Sequence, residues 1–75
     1  MTPEREKDIQ QTVIRVISGF GVDLSEPYQS ISWIGLREFR RDVSNREFID
    51  ALKAMEGVIL DTEEFKVRVP TGYFQ

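Results

Sequence analysis

Apolar side chains recur at Ile9, Val13, Val16, Ile17 and Phe20. That three-to-four-residue spacing gathers them on one arc of a helix at about 100° per residue. Ile14 falls beside the arc and Arg15 points elsewhere. Thr2-Pro3-Glu4 makes a good opening for this helix: a hydroxyl cap, a proline whose lost N–H is unneeded in the first turn, and an acid near the positive dipole end. Gly19 and Gly21 are expected to stop it. The stretch VDLSEPYQ that follows has turn formers and a proline, so it predicts a loop, with Leu24 and Tyr28 pinning it to the core.

Ser30-Ile31 predicts a very short extended piece, after which Ser32 caps a second helix from about Trp33 to Arg41. With Leu36 at the centre of the wheel, Trp33 and Phe39 lie about 60° to either side and complete a buried face. Arg37 and Arg41 point to water. Arg40 lies at the edge of the apolar arc, with its stem across the core and its head outward. Ile34 falls about 160° from Leu36, an apolar side chain on the wet side.

Ser44 with Glu47 three residues on forms a capping box for a third helix. Phe48, Ile49, Leu52 and Met55 are its apolar stripe, with Leu52 in the middle, and Gly57 supplies the left-handed stop. Val58-Ile59-Leu60 and Phe65 to Val69 then flank the turn DTEE as a hairpin. Phe65, Val67 and Val69 share one face of the second strand, Lys66 and Arg68 the other. Pro70 ends the ladder, and residues 71–75 form a tail. Residues 1–75 read as one domain with its core between about 3 and 70.

Composition narrows the chemistry more than the fold. The 75 residues are 40% hydrophobic and 31% charged, which suits one small globular domain. With no cysteine there is no disulfide framework and no thiolate ligand. With no histidine, the commonest general base and zinc ligand is missing too. The glycines of Gly19–Gly21 are too few for a phosphate-cradling loop. Asp61, Glu63 and Glu64 miss the calcium-loop spacing and read as a solvated hairpin tip. Neither an enzyme, a cofactor nor a small-molecule substrate is expected. No apolar run reaches the roughly 18 residues of a membrane span, and no charged-then-apolar leader precedes the first helix. The expected setting is a reducing cytoplasm, away from membranes.

The order helix, short strand, helix, helix, hairpin resembles the winged helix-turn-helix family. ISWIGLREF is similar to the family's passage from strand into second helix, with Ile31 on the strand, Ser32 capping and Leu36 in the core. Val43-Ser44 resembles the turn before the third helix, and LKAMEGVI resembles that helix's end, its glycine and the first wing strand. The resemblance implies an α+β fold with three helices, a short strand and a C-terminal β-hairpin wing. In DNA-binding members the outward face of the third helix enters the major groove, while the second helix, turn and wing touch phosphates.

Carried onto this chain, that scheme gives two candidate uses. In the first, the domain is a small regulator, working as a dimer on double-stranded DNA. Arg37, Arg40, Arg41 and Arg46 touch phosphates, Asn45 and Lys53 approach base edges, and Lys66 and Arg68 support from the wing. Residues 37–46 hold those four arginines against two acids and are the one basic locality in a chain of net charge −3. The outward face of the third helix (Arg46, Glu47, Asp50, Lys53, Ala54) is neutral, with Arg46 and Asp50 spaced to pair, and the wing tip is acidic. In the second, the scaffold is an interaction module for a protein partner or a homodimer, through Ile34, Tyr73 and Phe74. The fold's usual employment places DNA first.

Overall fold

The computed structural model describes all 75 residues, Met1–Gln75. Helices α1 (Pro3–Phe20), α2 (Trp33–Arg37) and α3 (Asn45–Lys53) are combined with strands β1 (Tyr28–Ser32), β2 (Ile59–Asp61) and β3 (Lys66–Pro70). A 3-10 turn (Thr71–Phe74) follows. The strands form one antiparallel sheet in the order β1-β3-β2, so the last strand in sequence is the central one. This is a small α+β fold, and its elements follow one another in the order read from the sequence.

The local signals act where they stand. Thr2 Oγ1 accepts the Arg5 N–H at 3.2 Å, and Ser32 Oγ accepts the Gly35 N–H at 3.3 Å. At Ser44 the capping box is reciprocal: the Glu47 N–H donates to Ser44 Oγ at 3.1 Å, and the Ser44 N–H to Glu47 Oε1 at 3.2 Å. The first helix runs through Gly19 and stops at Gly21, whose φ of 101° takes the chain out of helical space.

The core draws on every layer. Ile9, Val13 and Ile17 come from α1, Trp33 and Leu36 from α2, Phe48, Ala51 and Leu52 from α3, and Val67 and Val69 from β3; Val43 and Met55 fill the ends. Lys66 and Arg68 alternate onto the opposite, wet face of the sheet. Ile49 is only half-buried, and Ala51 takes the place beside Leu52 instead.

Four local expectations change. The second helix ends at Arg37, not Arg41, because the turns tighten: Arg40 N–H bonds to Arg37 O at 2.8 Å and Phe39 N–H to Leu36 O at 3.1 Å. That rotates Phe39 off the buried face to 57% exposure and lets Val43 enter the core. Strand β1 extends over five residues, because its polar side chains matter less than its ladder with β3, from Tyr28↔Pro70 to Ser32↔Lys66. Phe65 lies outside β3 at a φ of 58°, with its ring 48% exposed and 6.1 Å from that of Trp33. The Asp61 carboxylate accepts the Glu63 and Glu64 N–H groups at 2.9 and 3.0 Å, and the tight turn that results needs a left-handed residue at its exit.

The loop before β1 is held by polar groups, not by Leu24 and Tyr28, which stay exposed. The Gln29 side-chain amide donates to Asp23 O at 2.8 Å and Thr71 Oγ1 at 3.0 Å, and the Thr71 N–H donates to Pro27 O at 3.0 Å. The expected tail is likewise no free arm. Tyr73 and Phe74 are half-buried against the core, and Tyr73 Oη donates to Glu56 O at 2.6 Å. Part of the apolar surface expected to meet a partner is thus turned to the core.

Candidate nucleic-acid interface

The N-terminus of α3 is fixed to the rest of the domain by charges. Arg5 on α1 reaches Glu47 Oε2 through Nε at 2.8 Å and donates to Asp42 O at 2.9 Å. Arg40 grips Asp42 with two parallel bonds of 2.9 Å, meets Asp8 on α1 at 3.0 Å, and donates to Thr12 Oγ1 at 2.9 Å. Parallel guanidinium–carboxylate bonds fix orientation as well as distance. The three-helix geometry is thereby tied together at the α2–α3 turn.

This ties up two of the candidate phosphate contacts. The Arg40 side chain is only 15% exposed, and its bonds to Asp42 hold the guanidinium pKa well above its ordinary value. Arg37 spends its Nε on Val43 O at 2.9 Å, closing the same turn. Both are engaged inside the fold, so of the four arginines in residues 37–46 only Arg41 and Arg46 are exposed. Arg41 is 86% exposed and only 3.6 Å from Glu38, a weak surface pair.

On α3 the side chains of Asn45, Arg46 and Lys53 are exposed. The expected Arg46–Asp50 pair does not form, and neither Arg46 nor Lys53 has any ion pair. Seven residues separate the two cations, so they fall within about 20° of one another on the helix. Glu47, read as outward, is turned instead to the cap and to Arg5. On the sheet's wet face Arg68 stands between Ser30 and Ile59, and Lys66 is 3.9 Å from Glu64. Ile34 is exposed at 41%, as its wheel position implies.

The same carboxylates make acid sensitivity a direct expectation. Hydrogen bonds from Arg5 first, and from the Ser44 N–H, bring Glu47 from 4.5 down to about 2. The bond from Arg40 brings Asp42 from 3.8 down to about 2. Between those values the unfolded chain binds more protons than the folded one, so stability is full above pH 4.5 and falls as pH drops towards 2. Melting temperature followed across that range should show the decline, and Glu47→Gln should flatten part of it. A curve indifferent to that substitution would mean the Arg5–Glu47 bond contributes nothing in solution.

Two features had no counterpart in the candidate residues. A groove of about 430 Å³ lies between α1 and the α2–α3 turn, with Arg15, Val16 and Phe39 in its walls. The Phe39 ring meets that of Phe20 edge to face, with centroids 6.3 Å apart. Helical periodicity gave Phe39 to the core, and only the early end of α2 reveals it. The indole N–H of Trp33 is buried without a partner. No set of three or more Asp or Glu side chains is arranged to hold a metal ion, and no helix is long and apolar enough to cross a membrane. Compared with family models, curated proteins and solved structures, the chain matches none of them.

Proposed function

We propose that the chain is a winged helix-turn-helix domain that binds double-stranded DNA, with α3 as its groove-facing helix and β2–β3 as the wing. What carries the reading is the state of Arg46 and Lys53. In a chain with 13 acids against 10 bases, these two cations stay unpaired on one face of a helix whose start is capped and ion-paired into the fold. Asn45 beside them suits a base edge, and Arg41 and Arg68 suit phosphates. Arg37 and Arg40 position the α2–α3 turn and touch no DNA; Lys66 is the weaker wing contact because of Glu64. The acidic tip Asp61–Glu64 keeps the wing's end away from the backbone. A regulatory role is the use this reading implies.

Three or four phosphate contacts give a salt dependence that can be checked. Affinity for a mixed-sequence duplex should fall about 40- to 150-fold between 50 and 200 mM salt. Arg46→Glu with Lys53→Glu should abolish binding with the melt unchanged, while Lys7→Glu with Arg15→Glu, an equal change of charge on α1, should leave most of it. Absence of binding at low salt, or equal losses in both variants, would end the proposal. Arg40 is unsuitable for this test, since its replacement disturbs the fold before it disturbs any interface.

A further inference from the structure

Phe20 and Phe39 are the most exposed aromatic rings of the chain, at 68% and 57%. They are not scattered singly: their edge-to-face contact makes a two-ring wall that continues the groove beside α1. Val16, one helical turn before Phe20, forms the half-buried floor. Gly19 lies on the same side of α1, one turn beyond Arg15, and has nothing within 4 Å of where its Cβ would stand. The fold itself does not need a glycine there, and the bare backbone leaves room for close approach.

The charges around the groove are unequal in availability. Arg40 and Asp8 neutralise one another across 3.0 Å, and Arg40 is also bound to Asp42. Arg15 is exposed and has no ion pair. What the groove offers is therefore an apolar wall with one free positive charge beside it.

We propose that this groove docks an acidic amphipathic segment of a partner protein. An aromatic or leucine side chain of the segment packs on Phe20 and Phe39, and a carboxylate one helical turn away pairs with Arg15. A ring pair supplies area at low entropic cost, and the rim charge selects the sign of the partner. This surface is separate in its residues from the DNA-facing set, so either can fail without the other.

The test uses the isotopically labelled chain and two short synthetic helical peptides. One carries Phe and Leu four residues apart among glutamates, and the other has lysine in place of every glutamate. The acidic peptide should shift amide resonances from Arg15 to Phe20 and at Phe39 in a saturable way, and should bind at least about tenfold tighter than the lysine peptide. Phe39→Ala should remove the binding while keeping the melt, because the ring lies outside the core; Phe20→Ala repeats the test from α1. Arg15→Glu should invert the preference in favour of the lysine peptide, and Arg46→Glu/Lys53→Glu should leave it intact. Equal binding of both peptides, shifts confined to other residues, or no saturable shift would overturn the proposal. Concentration-dependent shifts at the same amides without peptide would overturn it too, by making a second copy of the chain the occupant.

Discussion

Phe48→Ala is expected to remove about 3–5 kcal/mol of folding stability. Phe48 is completely buried and heads the fully enclosed side chains in volume. It sits on α3, whose inner face is packed against α1 and the sheet, so its removal leaves a void that three elements would have to close together. At about 4–8 °C per kcal/mol for a domain of this size, the melt should drop by tens of degrees. A domain of this length holds on the order of 4–11 kcal/mol in all, so the loss takes a large share of it and, at the lower end of that range, leaves much of the population unfolded at room temperature. Urea unfolding followed by circular dichroism gives the midpoint. Phe48→Leu, which keeps most of the volume, should recover the larger part. A melt within a few degrees of the parent would mean the ring is not packed as described.

Gly57→Val should cost about 2–4 kcal/mol by two separable routes. The backbone at Gly57 has a φ of 80°, a conformation in which a β-branched side chain is strained. An added Cβ would also stand 3.0 Å from Pro70 Cγ, at the end of the central strand. Gly57→Asn separates the routes, since asparagine keeps the Cβ contact but tolerates left-handed backbone. If Asn melts as low as Val, contact with Pro70 is the dominant fault. If Asn restores most of the loss, strain is. Parent-like stability in Gly57→Val would contradict the described turn between α3 and β2.

Local rules transmitted well from sequence to structure. The caps at Thr2, Ser32 and Ser44 depend on residues within a turn, and each was legible without knowledge of the rest. Gly57 is left-handed as expected, but it does not stop α3, which has already ended at Lys53 with Ala54 as its right-handed cap. The inward faces of α1 and β3 were legible for the same reason, through Ile9, Val13 and Ile17 and through Val67 and Val69. What periodicity could not see was competition. Phe39 continued the helical pattern, but the chain had to reverse before Val43, and the tightened turn gave the core position away. Phe65 continued the alternation of β3, but the Asp61 turn claimed it for its exit. The candidate site blurred in a similar way. Arg40 finds Thr12, 28 positions earlier, and Arg5 finds Glu47, 42 positions later; wheel angles carry no trace of such partners. Arg46 and Lys53 are exposed, as their wheel positions imply, but the expected pairing of Arg46 with Asp50 is absent.

The placement of β3 between β1 and β2 shapes how the chain can be made. Both outer strands wait for the same partner: Tyr28 pairs with Pro70 across 42 positions, and nothing synthesised in between can substitute. A nascent chain leaving the ribosome carries its helices early but has no ladder at all until residues 66–70 emerge. Assembly of the sheet is thus one late, all-at-once event, slower than the coiling of helices that precedes it. A translation product halted before Lys66 would be an unpaired, protease-sensitive intermediate rather than a smaller version of the domain.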